Sequence, residues 1–415
     1  MNIHYLRRQL KKRQMHKNYE IKPIGSALKL RRQQLGMTLE EGAEGICSIS
    51  YLSKLENNQI EPNPEFVELL SERFGMKQQK TYDRDDYEKD LRLITDWMIE
   101  QHIFDETLLV KYQGHEDHQS LLIHLIHDSM NHQYHLAEKR YHLIKQFIPN
   151  MTQDELSLFI FCLANLYFHH HQYREARTFI LELPRAHDKN FDHYILSLRI
   201  RLLTSLKLHD GAEITAFYHE YLNLISKEGH FHLMQEIKNE YYTYLAWYQP
   251  IHTLLHLSKR NLKRKTSMDY PNALTYYRHQ HYHQVIHLSK QQPTHDGWYI
   301  ILLLTYEKLG DVDQLSSIIQ AMESIELNPS EAILYEYMKY KHFTTKEMML
   351  NYLRREILNA NLQTDDYLVN DYIIMDTQHL FAKSQFYKEA NQVMVNYYRR
   401  ANQPLSVDIN IEDED

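Results

Sequence analysis

Residues 48–57, SISYLSKLEN, combine short polar side chains, one branched apolar side chain and one lysine at helical spacing. In a helix over this stretch the two leucines point inward, and the polar side chains share the opposite face. On that face Lys54 can donate to guanine O6 and N7, Ser50 can donate or accept, and Ile49 can pack on a thymine methyl group. The stretch therefore predicts a recognition helix whose exposed face contacts the edges of DNA bases.

The predicted contacts extend to the starts of two helices. Ser48 and Thr38 occupy positions that cap a helix, and the free backbone amides behind such caps can hold phosphates. The residues that we expect to contact DNA are Thr38, Ser48, Ile49, Ser50, Ser53, Lys54 and Asn57.

Four short helices are predicted to position these side chains over residues 23–76, here called the head. Gly36 is suited to end the first helix in a left-handed cap. Thr38 caps the second helix, with two glutamates in its first turn, and Asn63 between two prolines starts the fourth. Two helices joined by a short turn, the second with polar groups at its N-terminal end, predict a helix-turn-helix arrangement.

The stretch TLEEGAEGICSISYLSKLEN resembles the DNA-binding domain of the XRE, or lambda-repressor-like, family, and the resemblance covers about 55 residues. Its GICSISYLSKLEN part is most similar to the peptide-sensing regulators of the PlcR and NprR kind. In that family an arginine of the first helix pairs with the glutamate that ends the recognition helix, which implies an ion pair between Arg32 and Glu56. Gly42 stands where the family usually has a core leucine, so we expect a softened second helix.

The charge of the chain is unevenly distributed. Residues 1–80 hold 14 Lys and Arg against 9 Glu, a net of +5, whereas the remaining 335 residues hold 33 basic against 46 acidic residues, a net of −13. A basic N-terminal part on an acidic remainder favours DNA binding by the former alone. Residues 1–22, with seven Lys and Arg against Glu20, are predicted to form a disordered basic arm, with a DNA-contacting arm as the alternative.

Few glycines and prolines and many leucines, tyrosines and lysines predict an all-α chain. After a linking helix over 77–110, residues 111–402, here called the body, show the spacing of tetratricopeptide repeats. FIFCLANLYFHHHQYREARTFILELP and WYIILLLTYEKLGDVDQLSSIIQAM both fit helical hairpins with small residues where the helices approach. The predicted architecture is a right-handed solenoid with a concave face, followed by an acidic tail over 403–415.

Repeat spacing turns one face of the first helix of each hairpin toward the concave groove. An asparagine carboxamide can pair with an extended peptide backbone in both directions, and aromatic rings can hold apolar side chains. The alternative is that Asn165 and the aromatic residues are ordinary helix-packing residues. The residues expected to bind a peptide are Phe161, Asn165, Phe168, Arg199 and Lys207.

The predicted function follows from the number of base pairs that one head can contact and from the family resemblance. One head reads few base pairs, whereas two heads one turn apart, about 34 Å, double the readout, so we expect a homodimer on near-palindromic double-stranded DNA. The resemblance implies a transcription regulator of the quorum-sensing type, controlled by a short signalling peptide in the groove. The alternative hypothesis keeps the DNA-binding head and makes the body a protein–protein adaptor or dimerisation scaffold without a peptide ligand.

Other kinds of site have little support. No phosphate loop, nucleophile elbow or glycine-flanked carboxylate pair indicates an enzyme, and no cofactor is expected. The 28 histidines include HxxH pairs but no HExxH motif, so no metal site is predicted. Cys47 and Cys162 lack CxxC spacing and are expected to be small buried hydrophobic residues. No apolar run of about 18 residues is present, so we expect no membrane span and a cytoplasmic location.

Overall fold

The computed structural model describes most of the chain, and all of its regular elements are helices. No helix in the described part is long and apolar enough to cross a membrane. No strand occurs in the described residues, which are 3–15, 23–57, 59–76, 84–100, 102, 104–114, 117–183, 191–261, 269–290, 297–359, 364 and 366–401.

The first helix, α1 (Ile3–Met15), replaces part of the predicted disordered arm. It packs against a 3₁₀ helix, Lys145–Asn150, and its Ile3 and Leu6 side chains are 6% and 0% exposed. The expectation of disorder is therefore wrong for this helix. Its apolar side chains form a stripe that is buried against a segment far along the chain, and the many basic residues between them make this stripe hard to recognise in the sequence. The rest of the predicted arm, residues 16–22, lies outside the described residues.

The head contains four helices around a small core. The buried members of that core include Leu28, Leu52, Leu70 and Phe74. Asn63 begins the last helix by accepting a hydrogen bond from the Glu65 N–H at 3.0 Å. The helices are α2 (Pro23–Gln34), α3 (Leu39–Ala43), α4 (Ile49–Glu56) and α5 (Pro64–Arg73).

Beyond the head, α6 (Arg84–Glu100) and α7 (Glu106–Tyr112) precede a series of helix pairs. In six of these pairs the two helices are seen to contact each other, as in the all-α repeat fold that the sequence predicts. The pairs are α8 (His118–Met130) with α9 (Tyr134–Ile144), α10 (Gln153–His169) with α11 (Tyr173–Ile180), α12 (Phe191–Lys207) with α13 (Gly211–Lys227), α14 (Phe231–Tyr248) with α15 (Ile251–Asn261), α16 (Asp269–Arg278) with α17 (Tyr282–Ser289), α18 (Trp298–Leu309) with α19 (Val312–Met322), α20 (Pro329–Phe343) with α21 (Lys346–Tyr352) and a π-helical extension (Leu353–Asn359), and α22 (Tyr367–Lys383) with α23 (Tyr387–Ala401).

Several turns inside these pairs contain a non-glycine residue in the left-handed region. Histidine tolerates that conformation better than most residues. The Nδ1 atoms of His132 and His171 lie 2.6 and 2.8 Å from the hydroxyl groups of Tyr134 and Tyr173, two residues further on. Part of the histidine content thus serves these turns. The residues with positive φ are His132, His171, His209, Gln280 and Gln385.

The chain divides into two compact units. The first contains the head and the first helix pairs, and the second has its own core around residues such as Trp298, Leu304, Tyr337 and Phe381. The predicted boundary near residue 110 therefore does not coincide with a boundary between the units. Unit 1 comprises residues 1–167, 175–201 and 223–230, and unit 2 comprises residues 168–174, 202–222 and 231–415.

Candidate functional site

The recognition helix α4 has one buried and one exposed face. Leu52 and Leu55 are 0% and 1% exposed and fix the helix on the core of the head. Ile49 is 47% exposed, and Ser50 and Lys54 are exposed beside it. Burial of the two leucines therefore presents to solvent the face that the sequence predicts to contact bases.

Caps hold the starts of α3 and α4. The Ser48 hydroxyl accepts a hydrogen bond from the Tyr51 N–H at 3.1 Å. Thr38 and Glu41 form a reciprocal capping box, with the Thr38 N–H donating to Glu41 Oε2 at 2.7 Å and the Glu41 N–H donating to Thr38 Oγ1 at 3.2 Å. These bonds lower the pKa of Glu41, because they favour its charged form. Both helix starts are exposed, so their remaining amides face solvent.

Gly42 lies at a close approach between α3 and its neighbours. A Cβ atom at this position would be 2.9 Å from Arg32 Cδ, 3.2 Å from Leu52 Cδ2 and 3.3 Å from Phe74 Cζ. The space that a larger residue would need is therefore filled by these three side chains. Close packing, which the sequence did not reveal, accounts for glycine where the XRE family usually has leucine.

Arg32 and Glu56 form a buried ion pair under α4. Arg32 Nε donates to Glu56 Oε1 at 2.6 Å, and Arg32 Nη2 donates to Glu56 Oε2 at 2.7 Å. Arg32 Nη1 also donates to the Met37 carbonyl oxygen at 2.6 Å, so the guanidinium joins α2, the turn after it and the end of α4. Paired and hydrogen-bonded charges of this kind are costly to separate once buried.

Besides the capping hydroxyls of Thr38 and Ser48, the Asn57 side chain is engaged in hydrogen bonds within the head. Asn57 Nδ2 donates to the Ser53 carbonyl oxygen at 2.8 Å, and Lys29 Nζ donates to Asn57 Oδ1 at 3.1 Å. Ser53 and Asn57 are half-buried, in contrast to Lys54. Lys29 was not singled out from the sequence, since its position beside the end of α4 depends on how α2 packs. Burial lowers the pKa of Lys29.

The head matches a known family. Residues 28–77 match HTH_3, described as Helix-turn-helix. Residues 28–77 are a helix-turn-helix domain.

Two further likenesses are to individual proteins. Over 34 residues the chain is 56% identical to the transcriptional activator NprA of Geobacillus stearothermophilus, a segment that spans 8% of this chain and 8% of that protein. The apo form of the competence regulator ComR from Streptococcus vestibularis is 14% identical and aligns with 70% of this chain and 98% of its own, with a TM-score of 0.26.

The predicted peptide contacts in unit 1 lie on α10 and α12. Asn165 is half-buried, and its Nδ2 donates to Ser129 Oγ on α8 at 3.4 Å. Phe161 is buried, which favours a packing role for its ring, and Arg199 is half-buried. Asn165 therefore contacts a neighbouring helix while part of its surface remains accessible.

Two predicted peptide contacts belong to unit 2. The Phe168 ring lies 5.1 Å from the ring of Tyr173. Lys207 Nζ lies 2.8 Å from Glu240 Oε2, and both residues line a cavity that Tyr173 also borders. Burial opposes the charged form of Lys207, but Glu240 outweighs that effect and raises the pKa of the lysine. Lys207 is thus a lysine that lines a pocket and whose ammonium group is already paired with Glu240.

The cysteines and histidines form no metal centre in the described part of the chain. There, no group of three or more His, Cys, Asp or Glu side chains is arranged to hold an ion. Cys162 is buried, and burial raises the pKa of its thiol to about 12, whereas Cys47 is only half-buried. A thiol with so high a pKa is a poor ligand and nucleophile.

Proposed function

We propose that this protein is a sequence-specific DNA-binding transcription regulator whose body binds a short signalling peptide. The observation that carries the proposal is the exposed row Ile49, Ser50 and Lys54 on the recognition helix of a helix-turn-helix domain. The similarity to a transcriptional activator over part of the chain supports it.

The exposed side chains of the recognition helix determine which groups on the DNA bases it can contact. Lys54 is a mobile donor suited to guanine O6 and N7, and Ile49 offers apolar surface to a thymine methyl group. The capped starts of α3 and α4 offer backbone amides to phosphates on either side of the groove. Ser53 and Asn57 are less accessible than Lys54, and the Asn57 side chain would need to exchange its present bonds for a DNA contact.

A homodimer on a near-palindromic operator fits the small reading surface. A single recognition helix contacts only a few base pairs, and two helices one turn apart, about 34 Å, bring the readout to the level that specific regulators need. The peptide acts by stabilising one conformation of the body over another. Such coupling typically amounts to about 1–3 kcal/mol, or about 5- to 150-fold in operator affinity.

The test of DNA reading uses the full-length protein and a site selected from random double-stranded DNA. Lys54→Ala should cost about 1–3 kcal/mol on the selected site and relax base choice at one position. Lys89→Ala is the matched control, since Lys89 is also an exposed lysine but lies on α6, outside the helix-turn-helix domain, and should leave binding unchanged. An equal loss on every sequence would show that Lys54 is a phosphate contact. The absence of any selected site would refute the reading function.

The test of peptide control uses calorimetry with synthetic peptides encoded beside the gene. Binding of one peptide should change the operator affinity of the same protein preparation by about 5- to 150-fold. A peptide that binds without changing operator affinity would contradict the regulatory part of the proposal and leave DNA reading intact.

A further inference from the structure

Unit 2 contains a partly open pocket at the end of α12. Its cavity volume is about 90 Å³. An engineered cavity of about 150 Å³ in another protein accommodates benzene, so the present pocket suits a slimmer group than an aromatic ring. The side chains that give it chemical character are Lys207, Glu240, Tyr244, Trp247, Asp366 and Tyr367.

One wall of the pocket is aromatic. The rings of Trp247 and Tyr367 meet edge to face with centroids 4.8 Å apart. The turn residue His209 stacks on Tyr367 at 4.7 Å and lies 5.6 Å from the ring of Tyr244. Burial, with a smaller contribution from Lys207, lowers the pKa of His209 to about 4, so this imidazole is neutral at neutral pH. The wall therefore offers π faces and no fixed positive charge of its own.

The same pocket is also lined by three charged side chains, two acidic and one basic. Lys207 and Glu240 neutralise each other at 2.8 Å. Asp366 is the N-cap of α22 and accepts a hydrogen bond from the Val369 N–H at 2.9 Å. No Lys, Arg or His lies at ion-pair distance from Asp366 among the residues that the structure describes. Burial raises the pKa of the Asp366 carboxyl, an effect that its hydrogen bond from Val369 and the nearby Lys207 partly offset. An incoming cation favours the charged form of Asp366, in which the three side chains carry one net negative charge.

We propose that this pocket binds an ammonium group, either the N-terminal amine or a lysine side chain of the signalling peptide. A cation between a carboxylate and aromatic faces gains a charge-assisted hydrogen bond and cation–π attraction. The inference rests on the proposed peptide control for the source of the ammonium group. Binding of an ammonium group by the pocket does not itself depend on peptide control.

An anionic ligand fits the same pocket poorly. The one ammonium group in it, on Lys207, is held by Glu240, so an anion would have to displace that carboxylate and then face Asp366. The π faces of Trp247 and Tyr367 also repel negative charge. A cavity of about 90 Å³ that is partly open to solvent can take the end of an alkyl chain with its ammonium group.

The experiment follows the tryptophan emission of the full-length protein during titration with small amines at pH 7.5. Trp247 lines the pocket, and Trp247→Phe establishes which part of the signal comes from it. n-Butylammonium represents a lysine side chain and glycinamide an N-terminal amine. Their uncharged counterparts are n-butanol and N-acetylglycinamide. We expect saturable binding of at least one amine and no saturable response to the uncharged partner.

Two substitutions test the two sides of the pocket separately. Asp366→Asn removes the charge but keeps a residue that caps helices well, and it should weaken amine binding about tenfold or more. Tyr367→Leu should weaken it about three- to tenfold by removing a π face. Tyr387→Leu is the control, because Tyr387 is an exposed tyrosine at the start of α23 and does not line the pocket.

The outcomes separate the inference from the proposed function. Equal binding of n-butylammonium and n-butanol, or undiminished binding by Asp366→Asn, would overturn the ammonium site. Selective amine binding by a protein whose operator affinity responds to no peptide would support the site and contradict peptide control. The relative affinities of n-butylammonium and glycinamide decide which source of the ammonium group the pocket prefers.

Discussion

Replacing Gly42 by alanine adds one methyl group at a crowded point of the head. In an ordinary helix this change is favourable by about 1 kcal/mol, because alanine has the higher helix propensity. Here the new Cβ atom would lie 2.9 Å from Arg32 Cδ, closer than side-chain atoms normally approach, and 3.2 Å from Leu52 Cδ2. Packing and propensity therefore act in opposite directions at this residue.

The surroundings decide which effect is larger. Leu52 and Phe74 are fully buried, and the Arg32 guanidinium is fixed by two bonds to Glu56 and one to Met37. None of these side chains can move away without losing a contact. Overpacking of this kind costs about 1–3 kcal/mol, so after subtracting a gain in propensity of about 1 kcal/mol we expect Gly42→Ala to destabilise the head by up to about 2 kcal/mol.

Amide hydrogen exchange, followed by mass spectrometry on peptides from the head, is the suitable assay. Tryptophan emission does not report on the head, because Trp97, Trp247 and Trp298 all lie outside it. A loss of up to about 2 kcal/mol corresponds to exchange that is up to about 30-fold faster in α3 and α4. Gly211→Ala is the control, since its Cβ would meet only the Tyr244 hydroxyl at an ordinary 3.4 Å. Unchanged or slower exchange in the head of Gly42→Ala would refute the packing argument.

Three other changes test separate parts of the structure. Glu56→Gln leaves the Arg32 charge buried without a counter-ion and should destabilise the head by about 3–5 kcal/mol, measured by the same exchange experiment; a loss below about 1 kcal/mol would show that the pair is dispensable. The pKa of His209 is lowered to about 4 from its ordinary value near 6.5. The neutral imidazole therefore contributes at most about 3 kcal/mol to the free energy of unfolding. This contribution is present above about pH 6.5 and is lost as the pH falls toward 4. His209→Asn keeps a residue that tolerates positive φ and should flatten this dependence in urea unfolding at pH 7 and 4.5, and equal pH dependence would contradict the assignment. Asn165→Ala should weaken peptide binding in calorimetry by about 1–3 kcal/mol if its carboxamide pairs with the peptide backbone, and unchanged affinity would assign Asn165 to helix packing.

The helix starts of the head could be predicted from the sequence because capping is local. Thr38, Ser48 and Asn63 accept hydrogen bonds from amides only two or three residues further on, so the residues that create each cap are adjacent in the sequence. The exposed face of α4 follows from the same local periodicity once Leu52 and Leu55 are assigned to the core.

The packing between distant segments could not be predicted in the same way. The helix α1 owes its order to the segment Lys145–Asn150, and Gly42 owes its identity to atoms from α2, α4 and the end of α5. The pocket at Lys207 likewise depends on Asp366, which only the tertiary fold brings near. No periodicity within one helix contains this information, since each feature is set by a partner that lies far along the chain.

Within unit 1 the head is joined to the first helix pairs by a few specific contacts. Ser26 and His118 are both buried, with the serine hydroxyl 2.8 Å from Nδ1 of the histidine, which links α2 to the start of α8. Lys29 lies 5.4 Å from the centroid of the Phe147 ring and also bonds to Asn57 at the end of the recognition helix. Leaving one buried hydrogen-bonding group unpaired costs about 1–3 kcal/mol, the same size as a typical coupling between two sites. Under the peptide control proposed above, a body conformation that separates Ser26 from His118 would break both bonds between them and change the free energy of this head arrangement by an amount of the size that such control needs.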